Sequence, residues 1–132
     1  MIDLLLDTDI VLALVEERES ELPPEMQRAL LVEGNVSWVS VASLWELEIK
    51  NRIGKLDLDV PLTSWPDALF LIGIQLAPVE FAHIIGEIGP EPSTKDPFDR
   101  LLLSTAAAFQ LKLVTLDRKL ADHPLAWQPF LR

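Results

Sequence analysis

Ile2-Asp3-Leu4-Leu5-Leu6-Asp7-Thr8 decides the fold class of this chain. Ile2 to Leu6 is a short, nearly continuous apolar run without clean alternation, the pattern of a strand buried on both faces of a parallel sheet. An aspartate closes the run. The same arrangement returns near the other end, where a predicted strand over Lys112–Leu116 leads into Asp117. Further strands are expected at Val36–Val39 and Ile74–Ala77. Helices are expected at Ile10–Val15, around Glu25–Glu33, and at Val41–Ile53, which Ser40 can cap and Gly54 can close. Asp67–Ile72, Glu80–Ile88 and Arg100–Leu111 also read as helical. Glu16–Glu21 with Pro23-Pro24 is a solvated break, Leu56–Pro66 is irregular, and Gly89–Thr94 is the clearest loop. Strands alternating with helices predict an α/β fold, a mostly parallel central sheet sandwiched between helices. No repeat or long linker divides the chain, so residues 1–132 are expected to form one domain.

Composition narrows the chemistry. The 132 residues include 49% hydrophobic and 24% charged side chains, enough apolar material for a core and inconsistent with a disordered chain. With no cysteine, disulfides, a thiol nucleophile and Cys-ligated metal centres are excluded, leaving mostly oxygen ligands. Leu69 to Val79 is broken by Gly73, Gln75 and Pro78, so no run reaches the roughly 18 to 20 residues of a membrane span. The opening residues lack a basic region and a small-residue cleavage site, which makes the cytoplasm the expected compartment. Twenty-one acidic against 11 basic residues give a net charge of -10, which opposes nucleic-acid binding unless carboxylates are occupied by metal.

The positions of four carboxylates matter more than their number. Asp7 and Asp117 stand at the carboxyl ends of apolar strands, the edge where open α/β sheets bind ligands, although an aspartate there also suits a turn or a cap. Glu46 shares a helical line with Ala42, Ile49 and Ile53, so it projects from an apolar face; an i,i+4 pair with Lys50 is the plainer reading. Glu48 is placed on the surface, opposite Arg52 at the same spacing. In Asp96-Pro97-Phe98-Asp99, Asp96 suits an N-cap and Pro97 the first helical position, while Asp99 lies in line with Leu102, Ala106 and Phe109 and points coreward. Helix N-termini and strand C-termini share one edge in parallel α/β units, so Asp7, Glu46, Asp99 and Asp117 can converge. Ionised together they repel, and the compensating charge is a basic side chain, a shared proton or a hard divalent cation such as magnesium or manganese. Thr115, two residues before Asp117, can orient a carboxylate or a water, or simply pack in its strand.

Four segments in order now carry a resemblance. Leu4-Leu5-Leu6-Asp7-Thr8, Ser43-Leu44-Trp45-Glu46-Leu47-Glu48-Ile49-Lys50-Asn51-Arg52-Ile53-Gly54-Lys55-Leu56, Asp96-Pro97-Phe98-Asp99-Arg100-Leu101-Leu102 and Leu113-Val114-Thr115-Leu116-Asp117 resemble the PIN-domain ribonucleases of VapC type, over essentially the whole chain. The resemblance implies a PIN fold and an Mg2+- or Mn2+-dependent endoribonuclease serving as the toxin of a type II toxin-antitoxin pair. It implies an acidic cluster of Asp7, Glu46, Asp99 and Asp117 with Asp96 auxiliary, a homodimer, and a cognate antitoxin whose C-terminal segment obstructs the site. Asp9 stands where relatives often carry His or Asn, and Thr94 where many carry His; Asp9 is kept outside the catalytic set.

The basic residues flanking these motifs, Lys50, Arg52, Lys55, Lys95, Arg100, Arg118 and Lys119, are the candidates for gripping RNA, with Lys50, Arg52, Arg100 and Arg118 foremost; each also suits a solvated surface. Trp45 can stack on a base or serve as a core or interface tryptophan. Two other functions compete. Leu6-Asp7-Thr8-Asp9-Ile10 also resembles the opening of aspartate-nucleophile phosphatases, which expect a glycine where Ile10 stands and a later paired-aspartate motif that is missing here. A non-catalytic PIN-like module that binds metal or a partner is the other.

Overall fold

The computed structural model describes residues 2–31 and 34–129. Four strands, β1 (Asp3–Leu6), β2 (Val36–Ser40), β3 (Gln75–Ala77) and β4 (Lys112–Val114), form one sheet in the order β3-β2-β1-β4. All three pairings are parallel, with Leu5 opposite Trp38 on one side and Leu113 on the other. The helices are α1 (Thr8–Val15), α2 (Pro24–Leu31), α3 (Val41–Arg52), α4 (Trp65–Ile72), α5 (Phe81–Ile85), α6 (Pro97–Phe109) and α7 (Arg118–Ala121). The expected α/β fold with a parallel sheet is the fold observed.

Successive side chains of a strand point to opposite faces, and β1 uses both. Leu4 and Leu6 join Ile10, Val11, Leu47, Trp65, Leu69 and Val114 in one core, while Leu5 joins Leu102, Leu103, Ala106, Leu113 and Leu120 in the other. All three leucines are fully buried. A continuous apolar run, rather than an alternating one, is therefore what the central strand requires.

The chain builds β2 and β3 outward on one side of β1, then returns to add β4 on the other. Strand order thus reverses beside β1, and such a reversal opens a crevice at the carboxyl ends of the strands. Backbone pairing covers the far side of β4: Leu113 donates to Leu125 O and Trp127 donates to Leu113 O, each at 2.8 Å. β3 remains the open edge.

Several boundaries move from their predicted places for local reasons. The first helix begins at Thr8 rather than Ile10 because Asp7 caps it, and α6 begins at Pro97 rather than Arg100 because Asp96 accepts from the Phe98 and Asp99 amides. It stops at Phe109 instead of Leu111, where Gln110 turns left-handed at φ 58°. In the predicted strand Lys112–Leu116, β4 ends at Val114, since Thr115 accepts from the Asp117 amide and folds 115–117 into a turn. The irregular stretch Leu56–Pro66 contains a 3-10 turn at Leu62–Ser64 and the start of α4, with Pro66 in its first turn. Of Glu80–Ile88, only Phe81–Ile85 is helical. Glu25–Glu33 becomes Pro24–Leu31, the rest lying outside the described residues. Ser40 caps α3 through the Ala42 amide, and Gly54, at φ 78°, lets Lys55 donate back to Lys50 O.

Candidate active site

The acidic side chains at the sheet edge are held by helix amides of the elements they cap and by hydroxyls reaching in from neighbouring segments. Asp7 follows β1 and caps α1, with Oδ1 accepting the Thr8 amide at 2.8 Å and Oδ2 accepting the Thr115 hydroxyl at 2.6 Å. Thr115 in turn accepts from the Asp117 amide at 3.0 Å. Asp117 caps α7 by accepting the Lys119 amide at 2.9 Å. On α3, Glu46 receives the Thr8 hydroxyl on Oε1 at 2.6 Å and the Lys50 ammonium on Oε2 at 3.1 Å. Thr94 donates to Asp99 Oδ2 at 3.0 Å and accepts from the Asp96 amide at 3.2 Å, tying the preceding loop to the first turn of α6.

These side chains line one open cleft: Asp7, Thr8, Asp9, Glu46, Lys50, Asp96, Asp99 and Asp117. Its volume of about 160 Å³ is below the hundreds of cubic ångströms that small-molecule pockets enclose, and suits an ion with a phosphate-sized group rather than a whole nucleotide. Six of the eight lining residues are acidic and one is basic. The electrostatic consequence is clearest at Asp99. Partial burial, then repulsion from Asp96, Asp7 and Asp117, pushes its carboxyl up to about 6 against the relief offered by Thr94. Asp7 is also raised, chiefly by burial, with Asp9 and Glu46 adding to it while Thr115 and the Thr8 amide oppose. Burial works against the Lys50 ammonium, yet Glu46, Asp9 and Asp96 together hold its pKa above the ordinary lysine value.

The chain matches the PIN domain family over residues 4–124. It belongs to that family. No curated protein matches it. PIN domains are generally metal-dependent nucleases.

In this PIN domain the four carboxylates singled out from sequence, with Asp96, face the same cleft. Glu46 makes the plainer contact as well, since its i,i+4 partner Lys50 is the only basic residue lining the cleft among the described residues. Of the line drawn through Glu46, Ala42 is buried, Ile49 is half-buried and Ile53 is exposed, so the apolar face fades along α3. Asp99 follows its line more closely, with Leu102 and Ala106 buried and Phe109 at the surface. No ion pair joins Glu48 to Arg52. Arg100 turns away to Glu91, with bonds of 3.0 and 3.3 Å, and Arg52 and Arg118 lie exposed outside the cleft lining.

Three lining or supporting roles were not anticipated from sequence. Thr8 bridges toward Glu46, Thr94 holds Asp99, and Asp9, set aside earlier, forms part of the cleft wall. A hydroxyl directly after a strand-end aspartate is the signal that marks Thr8. The donor set fits a hard divalent cation in its chemistry: it is all oxygen and strongly negative, with Asp99 raised by partial burial and by its neighbouring carboxylates. Among the described residues no three acidic or histidine side chains are drawn together as a ready ligand set. As placed, Asp7, Glu46, Asp96, Asp99 and Asp117 are instead directed by a threonine, an amide or Lys50.

Proposed function

We propose that this PIN domain is a metal-dependent endoribonuclease, the toxin of a VapBC-type toxin-antitoxin pair, hydrolysing RNA phosphodiester bonds. The observation that carries the reading is the meeting of Asp7, Glu46, Asp99 and Asp117 in one phosphate-sized cleft at the sheet edge of a PIN fold. Asp7, Asp99, Asp117 and Glu46 are the ligands assigned to Mg2+ or Mn2+, which when bound supplies an activated water and neutralises charge on the phosphate. Asp96 shapes the entry to Asp99, and Thr115 keeps Asp7 and Asp117 in register. Lys50 contributes a cation on the cleft wall, while Arg52, Arg100 and Arg118 are assigned to more distant RNA backbone.

Support for a homodimer and a protein partner comes from apolar surface. Phe70 and Leu71 on α4 are each 83% exposed, and Phe81, Ile84 and Ile85 on α5 are also exposed, on the two helices that flank the open-edge strand β3 in sequence. Large exposed apolar areas mark interaction sites. Among the described residues no helix is long and apolar enough to cross a membrane. The phosphatase resemblance rested on one short segment and loses its basis in a chain matched to the PIN family over residues 4–124.

The test is incubation of the purified protein, freed of any antitoxin, with total RNA in Mg2+ or Mn2+, beside an EDTA control and an identically purified Asp99→Asn variant. Discrete, metal-dependent cleavage that vanishes in the variant is expected, and mapping the new ends identifies the target. Equal cleavage by both proteins sinks the role of Asp99. Metal binding without cleavage of any RNA makes the domain a metal- or partner-binding module instead.

A further inference from the structure

Glu46 and Asp99 approach the cleft from different helices, and the residue immediately before each is aromatic. Trp45 on α3 and Phe98 on α6 meet edge-to-face, with ring centroids 5.7 Å apart and planes at 65°. Trp45 is nevertheless 61% exposed, an uncommon position for the largest apolar side chain. Phe98 is half-buried, and the Asp96 cap fixes the turn that carries it. The pair is therefore a braced aromatic surface whose two members each directly precede a cleft-lining carboxylate, with much of Trp45 left to solvent.

We propose that Trp45, held by Phe98, is a stacking platform for a nucleobase of single-stranded RNA next to the phosphate in the cleft. This rests on the ribonuclease reading and adds a substrate-binding residue to it. Two observations, taken with the ribonuclease reading, favour RNA as the occupant. The cleft, at about 160 Å³, is lined by six acids, Thr8 and Lys50 and presents no aromatic face, so a base whose phosphate enters it finds its stacking partner outside. The chain carries a net charge of -10 and Lys50 is the only basic residue lining the cleft among the described residues, so electrostatic grip on a polyanion is weak. Stacking on an aromatic ring supplies affinity that needs no positive charge and tolerates every base, because every base has a π-face.

The test measures binding rather than turnover. Fluorescein-labelled oligoU and oligoA of about twelve nucleotides are titrated with the Asp99→Asn protein in Mg2+ and with the otherwise unaltered protein in Ca2+, at several salt concentrations. Trp45→Ala is compared with Trp45→Phe and with Leu31→Ala, an exposed apolar residue on α2 that lines no part of the cleft. Trp45→Ala is expected to weaken binding roughly tenfold without changing the slope of affinity against salt. Trp45→Phe is expected to restore most of the loss, and Leu31→Ala to bind as the parent does. Melting curves should show all variants folded, because Trp45 lies at the surface. Unchanged affinity in Trp45→Ala, with the parent binding RNA, overturns the platform and leaves the nuclease reading standing. The same holds if RNA affinity is unchanged while self-association is lost, which assigns the indole to a protein contact. Failure of the parent to bind any RNA in either metal overturns both.

Discussion

Thr115 donates its hydroxyl to Asp7 Oδ2 at 2.6 Å, closing a contact between residues 108 positions apart at the ends of adjacent strands β1 and β4. The same oxygen accepts the Asp117 amide at 3.0 Å, so one side chain sets two of the acidic residues. Hydrogen bonds to a carboxylate are short and strong, and a donor that grips a metal-binding carboxylate in this way fixes its orientation. Thr115→Val keeps the shape and removes the hydroxyl. Mn2+ affinity by calorimetry should fall by roughly 10- to 100-fold, while Thr115→Ser should stay near the parent value. A valine variant that binds the metal as tightly as the parent would falsify the role.

The raised carboxyl of Asp99 makes a signed prediction. Its ionisation lies near 6 in the fold against 3.8 in the unfolded chain. Its contribution to stability is therefore complete below the unfolded value and is lost as pH rises through about 6. In EDTA, Asp99→Asn should melt above the parent at neutral pH, and the gap should narrow as pH falls from about 6 toward about 4. Adding Mg2+ should raise the melting temperature of the parent and leave the variant behind, since a ligand stabilises only the state that binds it. A gap that is constant with pH removes the repulsion account.

Lys50 and Glu46 form an i,i+4 pair in which both side chains keep solvent contact, the lysine 44% and the glutamate 16% exposed. Exposed pairs of this spacing contribute only about 0.3–0.5 kcal/mol, so Lys50→Met should melt close to the parent. Its effect should fall on RNA instead, with KM rising more than kcat falls, because the cleft loses its only lining cation among the described residues. Lys50→Arg should recover part of the loss. Equal kinetics for Lys50→Met and the parent would remove Lys50 from the RNA-contacting set.

Apolar exposure on α4 bears on assembly. Replacing Phe70 and Leu71 together with lysine leaves the cores untouched, because both side chains are largely solvent-facing. The parent is expected to run as a dimer by light scattering and the double variant as a folded monomer, since two charges cannot be desolvated in an apolar contact without partners. A monomeric parent, or a dimeric variant, would place the partner surface elsewhere.

Much of this was legible in the chain itself. The run Leu4-Leu5-Leu6 announces a strand covered on both faces because every position is apolar, and each leucine is indeed buried in one core or the other. Asp7 and Asp117 are visible as strand-end aspartates, and Asp96-Pro97 as a helix start. Ends of elements were less legible: β4 stops two residues early because Thr115 prefers its neighbour's amide to the ladder, a choice made by a local turn against strand periodicity. Asp9 is legible as an additional carboxylate beside Asp7, but as an exposed first-turn acid of α1 its place in the cleft wall comes only from the fold.

Hydrophobic pattern, caps and the placement of glycine and proline are local properties, and from them the sequence by itself determined strands, helices, their alternation and which carboxylates end which elements. Tertiary structure alone decided how those carboxylates are held. Strand order β3-β2-β1-β4 brings the end of β4 against the end of β1, and only then can Thr115 reach Asp7, Thr8 reach Glu46, and Lys50 turn into the same cleft. Those contacts join residues tens of positions apart, and the raised Asp99 carboxyl is a sum over partial burial and the charges of Asp96 beside it and of Asp7 and Asp117 from two other segments. Such terms depend on distance in space, which spacing along the chain does not encode.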